Sequence, residues 1–234
     1  MACDTTKVTP VTEQEERLAI ENYKNKENKT MSSSMVLQKT PEFKMDAYDA
    51  KTGHYISVSS EDYKGKWHVI CFYPADFTFV CPTEIAAMNA KYNEFQELGV
   101  EILAISTDTK FSHKRFVETE PLLEGLKLTM GADPKGDVTR AFGVMIEDEG
   151  MALRGRFLIN PDGVCVAQEV QAPSVGRNVN EFLRQVKAWQ HSGKTGEVCP
   201  AGWVPGKKTL PVNTEVEKMT GRVGDYITIE EILS

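Results

Sequence analysis

From Met35 onward the apolar residues alternate between short unbroken runs and helical spacings, and this pattern lays out the elements. Tyr55-Ile56-Ser57-Val58 alternates as a half-buried strand does. Trp67 to Tyr73 is an almost continuous apolar run rich in β-branched and aromatic residues, the pattern of a strand covered on both faces. After a break, Ile85, Met88, Tyr92, Phe95 and Leu98 recur at steps of three and four. They predict an amphipathic helix over Thr83–Leu98, closed by Gly99 where a C-terminal glycine is favoured. Val100 to Ser106 predicts a second buried strand. Lys110 to Glu120 predicts a helix that ends at Pro121, whose ring cannot continue the hydrogen-bond ladder. Asp137 to Phe142 predicts a short helix after the turn Asp133-Pro134-Lys135-Gly136. Arg156 to Asn160 and Val164 to Val170 flank Pro161-Asp162-Gly163 and predict a hairpin. Val179, Phe182, Leu183, Val186 and Trp189 then mark a helix, with Trp189 expected in the core. Strands alternating with helices, followed by a hairpin and a helix, predict an α/β fold with a central mixed β-sheet flanked by helices.

The ends read differently. Residues 1–34 are rich in Glu, Lys, Asn and Ser, with too few apolar side chains to offset the entropy of ordering, and are expected to form a mobile N-terminal extension. Residues 35–192 are expected to be the folded domain. Residues 193–234 are turn-rich and are expected to form a C-terminal arm over its surface.

Composition narrows the function. The chain has 234 residues, 41% hydrophobic and 26% charged, enough to bury a core without disulfide staples. A formal net charge of −7 offers no basic field for phosphate, so neither nucleic acid nor an anionic membrane surface is an expected partner. The first residues carry no apolar stretch of signal-peptide type, and no apolar run approaches the length of a membrane span. A cytoplasmic location is expected. Five cysteines at irregular spacing, without C-x-x-C, argue against a secreted disulfide scaffold, a zinc ribbon and a dithiol oxidoreductase.

The candidate chemistry lies at Cys81. It falls where the apolar run from Trp67 breaks and the helix opens, with Pro82 at a position that helices tolerate. Unpaired backbone N–H groups and the positive end of the helix dipole favour an anion there. A thiol moved from about 8.5 to about 6 gains roughly thirtyfold in thiolate at neutral pH. Its intrinsic nucleophilicity falls with pKa at a slope of about 0.4–0.5, costing roughly tenfold. The net gain is only a few-fold, so fast attack by this thiol requires fixed donors that stabilise the charge developing on the group attacked. Thr78, three residues before the thiol, has a hydroxyl that can donate and accept. Arg115, Arg140, Arg154, Arg156, Arg177 and Arg184 are all candidate guanidiniums, and periodicity does not choose among them.

Tyr73-Pro74-Ala75-Asp76-Phe77-Thr78-Phe79-Val80-Cys81-Pro82-Thr83-Glu84 resembles the peroxidatic motif of the peroxiredoxins. Gly196-Glu197-Val198-Cys199-Pro200-Ala201-Gly202-Trp203 resembles the resolving motif of their typical two-cysteine class, which includes the alkyl hydroperoxide reductase peroxidase component. Ser106-Thr107-Asp108 and Asp148-Glu149-Gly150-Met151-Ala152-Leu153-Arg154-Gly155 resemble further family segments, and the similarity spans about residues 36–210. The resemblance implies a thioredoxin-like fold and a thiol peroxidase with no metal or organic cofactor. It selects Arg154 as the active-site guanidinium, with Glu84 helping to hold it. Cys81 would attack a hydroperoxide and become a sulfenic acid, Thr78 and Arg154 would bind the peroxide oxygens, and Pro74 would shield the thiol. Cys199 of a partner subunit would close an intersubunit disulfide, reopened by a thioredoxin-like protein or a dedicated disulfide reductase. The assembly implied is a homodimer that builds a decamer.

The remaining candidates read as structural. Cys71 and Cys165 sit in apolar strand patterns and are expected in the core, and Cys3 is expected to be incidental. His54, His68, His113 and His191 share no spacing and are expected to be surface or packing residues. Trp203 is expected to hold the arm in place. A redox-regulated holdase chaperone or a peroxide-signalling relay is the alternative function.

Overall fold

The computed structural model describes residues 34–210, 223 and 227–233. The extension expected over residues 1–34, Cys3 included, lies outside the described residues apart from Ser34. Nine strands are described: β1 (Lys44–Asp49), β2 (His54–Ser59), β3 (Trp67–Phe72), β4 (Val100–Ser106), β5 (Thr129–Ala132), β6 (Met145–Ile146), β7 (Met151–Ala152), β8 (Arg154–Ile159) and β9 (Cys165–Gln171). The α-helices are α1 (Cys81–Ala90), α2 (Tyr92–Glu97), α3 (Lys110–Thr119), α4 (Asp137–Ala141), α5 (Val179–Thr195) and α6 (Ile229–Leu233). Seven strands form one sheet in the order β2-β1-β5-β4-β3-β8-β9, and β6 pairs with β7 apart from it. The central β5-β4-β3 pairings are parallel and the outer ones antiparallel, so the sheet is mixed as the pattern predicts.

Alternation along the central strands builds two cores. Val69 and Cys71 of β3 and Ile102 and Ala104 of β4 face one cluster, with Ile85, Phe95, Phe116, Phe182 and Val186 from the helices. Ile70, Phe72, Leu103 and Ile105 face the other, with Val138, Phe142 and Phe157. A side-chain period of two in strands makes this division obligatory once both faces are covered. Cys71 and Cys165 are both buried in these cores, as expected.

Caps fix the helix ends. Thr109 Oγ1 accepts from the Ser112 N–H at 3.3 Å to start α3, and Asn178 Oδ1 accepts from Asn180 and Glu181 N–H groups to start α5. Gly196, at φ 73°, ends α5 in the left-handed region.

Three expectations change. The single helix over 83–98 starts earlier, at Cys81, and is interrupted at Lys91. The Lys91 N–H turns to Met88 O at 3.1 Å, tightening the turn beside Asn89. The Asn89 amide is committed to Gly125 O and the Lys127 N–H, which anchors the interruption. Phe95 still reaches the core through α2. Trp189 is not a core residue: it is 39% exposed, because the buried face of α5 ends at Val186 and its last turns face the arm. Strands β1 and β5 also escape the periodicity reading, β5 because four residues with Gly131 carry almost no alternation.

Phe157 sits edge-on to both Phe72 and Phe142, at ring separations of 5.9 and 5.0 Å. Phe157→Ala should cost about 3–5 kcal/mol, seen as a lower urea midpoint with an unchanged slope.

Candidate active site

β3 ends at Phe72, and the chain from Tyr73 to Val80 crosses the carboxyl end of the sheet before α1 begins at Cys81. Pro82 occupies the first turn, and the helix places its positive end at the thiol. Cys81 and Pro74 are both buried. Glu84, one turn into α1, faces inward, where Arg154 at the start of β8 and Arg177 before α5 converge on it.

All three of these charged side chains are at most 4% exposed. Arg154 Nη1 donates to Glu84 Oε2 at 2.6 Å and lies 3.5 Å from Cys81 Sγ. Its Nε and Nη2 both donate to Pro173 O. Arg177 donates to Glu84 Oε1 from its backbone N–H at 2.7 Å and from Nε at 2.8 Å, and its Nη1 donates to Gly155 O. One carboxylate between two guanidiniums leaves one positive charge over, and the thiol lies beside it. Burial would raise the Glu84 carboxyl, but the hydrogen bonds and charge of Arg177, with Arg154 behind them, hold it below the usual carboxylate range.

Thr78 Oγ1 donates to Ala75 O at 2.9 Å, so its proton is used within the loop while the oxygen keeps its acceptor capacity. Sequence reasoning missed what holds this loop. Asp76, buried, accepts from Tyr73 Oη at 2.8 Å and from Ser112 Oγ at 2.7 Å, and His113 Nδ1 lies 3.0 Å from its Oδ2. His113 Nε2 lies 3.1 Å from Gly131 O, and Asp108 Oδ2 accepts from the Asp76 N–H. Between these anchors Phe77 is held at φ 56°, a costly angle for a bulky side chain. His113 is thus a packing residue with a positioning consequence. No spacing in the sequence links residues 76, 108 and 113; only the β3-to-α3 crossover brings them together.

Cys199 lies on the arm after α5, half-buried, and its thiol donates to Ala188 O at 3.6 Å. Burial pushes the thiol up, Arg184 pulls it down and Glu197 pushes it up again. It borders a hollow of about 370 Å³ that Arg184, Ala188 and Trp189 also line. Cys71, Cys81, Cys165 and Cys199 are all free thiols. Trp203 is buried, as expected for a residue that holds the arm. No group of three or more metal-ligating side chains forms among the described residues, and no helix among them is long and apolar enough to cross a membrane.

The profile of the AhpC/TSA family matches residues 36–168, and that of the C-terminal domain of 1-Cys peroxiredoxin matches residues 188–225. The chain belongs to the AhpC/TSA family, the peroxiredoxins. Alkyl hydroperoxide reductase C of Staphylococcus saprophyticus is 42% identical over 178 residues, covering 76% of this chain and 94% of that protein. The Staphylococcus aureus protein of the same name is 43% identical over the same span. Among solved structures, Enterococcus faecalis AhpC is 39% identical with a TM-score of 0.69, covering 72% of this chain and all of that one. The reduced 2-Cys peroxiredoxin of Plasmodium vivax is 33% identical with a TM-score of 0.74, covering 81% and 100%. The fold is thioredoxin-like, and this peroxiredoxin is a thiol peroxidase that reduces hydroperoxides. Those likenesses favour the peroxidase over the holdase or relay reading.

Glu84→Gln leaves two buried guanidiniums with no counter-charge and should destabilise the fold by about 3–5 kcal/mol. Because the folded-state value of Glu84 is depressed, its contribution is present above the unfolded carboxylate range and is lost as pH falls below about 4. Urea unfolding from pH 3 to 7 should show that acid slope in the unaltered chain and a shallower one in Glu84→Gln.

Proposed function

We propose that this peroxiredoxin reduces hydrogen peroxide and organic hydroperoxides through Cys81, with Cys199 of a second subunit as the resolving thiol. The supporting observation is the 3.5 Å approach of Arg154 Nη1 to Cys81 Sγ while the same nitrogen donates to Glu84. A guanidinium fixed by a buried carboxylate does not reorganise as charge develops, and that is what makes such a donor effective.

In the reaction the Cys81 thiolate attacks the terminal peroxide oxygen, the O–O bond breaks, and Cys81 becomes a sulfenic acid. Water or an alcohol leaves after taking up a proton. Arg154 stabilises the oxygen that gains charge, and Thr78 uses its acceptor lone pairs to orient the incoming hydroperoxide. Pro74, buried beside the loop, keeps bulk water from the sulfur. Cys199 then attacks the sulfenic sulfur, water leaves, and an intersubunit disulfide forms. A thioredoxin-like dithiol or a dedicated reductase supplies two electrons to reopen it. No metal or organic cofactor takes part.

In this reading residues 35–192 are the peroxidase domain and residues 193–234 the arm that delivers the second thiol. The protein works in the cytoplasm as a homodimer that assembles to a decamer. Two features support association between copies. Among the described residues strand β9 is an open edge of the sheet, able to pair with a second copy. Phe79, 98% exposed, Phe77 and Phe111 present aromatic surface that a lone subunit leaves in water.

Cys81→Ser should abolish peroxide-dependent oxidation of reduced thioredoxin. Cys199→Ser should retain a single turnover but form no dimer on non-reducing electrophoresis after one equivalent of hydrogen peroxide. A dimer that persists in Cys199→Ser would refute the pairing. Arg154→Ala should lower kcat/KM for hydrogen peroxide about 100- to 1,000-fold. A loss under tenfold would remove Arg154 from the reacting atoms.

A further inference from the structure

Cys199 sits in a closed clasp. Val198 and Leu210 exchange backbone hydrogen bonds of 3.0 and 2.9 Å, so the chain between them is a loop with joined ends. Trp203 fills it: its Nε1 donates to Lys207 O at 2.9 Å, and its carbonyl accepts from Arg184 of α5 at 2.7 Å. The clasp also meets α5 at His191. The imidazole lies against the Trp203 ring with centroids 4.7 Å apart, and its Nε2 is 3.2 Å from Glu197 Oε2. Glu197 precedes Cys199 by two residues. Its Oε2 also accepts from Thr209 Oγ1 at 2.6 Å, next to Leu210 on the other side of the clasp. One carboxylate therefore ties both ends of the loop to one helical side chain. Thr195 closes the turn, accepting from the Glu197 N–H and donating to His191 O.

Other charges face the same imidazole. Lys187, one turn earlier on α5, and Lys207 of the clasp line a hollow with His191, and Lys187 is itself 3.7 Å from Glu94 of α2. Lys194 follows on the next turn of α5. Glu197 is the carboxylate at hydrogen-bond distance from the ring. The Thr209 hydrogen bond, then His191, keep it below the usual carboxylate range, so it is anionic near neutral pH. Histidine is the side chain that ordinarily changes charge between pH 5 and 8.

We infer that His191 is a positioning residue for the resolving step: protonated, it locks the Cys199 clasp onto α5, and neutral, it lets the clasp open. This rests on the reading of Cys199 as the resolving thiol. Cys199 packs against Ala188 O, and in this reading the clasp opens to bring its Cα within the roughly 4.4–6.8 Å of the partner's Cα that a disulfide needs. In the step itself the sulfenic S–O bond breaks, the S–S bond forms, and the Cys199 proton leaves with the hydroxyl as water. Protonation of His191 adds attraction to Glu197 in the closed clasp only. The disulfide step therefore slows as pH falls, beyond what ionisation of Cys199 imposes.

The test is rapid-quench non-reducing electrophoresis of the full chain after one equivalent of hydrogen peroxide, at pH 5.5 and pH 8. His191→Phe keeps a ring against Trp203 without the charge, and dividing its rate into that of the unaltered chain cancels the shared titration of Cys199. An exposed ion pair is worth about two- to fivefold, so the unaltered chain should form dimer that much more slowly than His191→Phe at pH 5.5 and at a matching rate at pH 8. His191→Arg, a permanent cation, should be slow at both pH values, and Glu197→Gln should lose the pH-dependent excess. Sulfenic acid formation at Cys81, followed by dimedone trapping, should be unchanged in all three. A rate ratio that does not move with pH, or a change confined to the sulfenic step, overturns the role of His191 while leaving Cys199 as resolving thiol. Failure of the unaltered chain to form any disulfide dimer overturns both.

Discussion

The active site depends on one buried carboxylate. Glu84 is shared between Arg154 and Arg177, and without it neither guanidinium could stay dehydrated at the mouth of α1. The arrangement explains why the two arginines come from separate places, the start of β8 and the segment before α5. Each reaches Glu84 from a different side, and each spends its remaining donors on backbone oxygens, Pro173 for Arg154 and Gly155 for Arg177. Helix, strand and segment are thereby locked together at the thiol. A positive charge held this way is available to a reacting oxygen at no cost in reorganisation.

The loop carrying Thr78 is anchored by a second, independent network. Asp76 gathers Tyr73, Ser112, His113 and, through its N–H, Asp108, which in turn accepts from Ser106 Oγ. The left-handed angle at Phe77 survives because these bonds over-determine its neighbour. The Thr78 loop is thus rigid where it meets the sheet, while Phe77 and Phe79 project outward into solvent.

The second thiol lives in a different physical setting. Its clasp rests on one backbone bridge, the buried Trp203 with its hydrogen bonds to Lys207 O and from Arg184, and the contact of Glu197 with His191 and Thr209. Contacts of this kind suit the movement proposed for Cys199. The contrast between the dehydrated charge network at Cys81 and the partly exposed clasp at Cys199 matches the two tasks proposed for them, one needing fixed geometry and the other travel.

The fold and the place of the candidate sulfur were legible from the sequence alone, because buried strands and amphipathic helices write their periods into it. Trp67–Phe72, Val100–Ser106 and the face of Val179, Phe182, Leu183 and Val186 formed as spaced, and Cys81 stood at the helix mouth that its proline marks. The linear motif also singled out Arg154 and Glu84. Tertiary structure alone decided that Arg177, rather than another arginine, completes the clamp, that His113 reaches Asp76, and that Trp189 faces the arm rather than the core. These are contacts between elements distant in sequence. A charge or ring at such a position has no periodic signature, since its partner is chosen by how the chain crosses over the sheet and not by its neighbours along it.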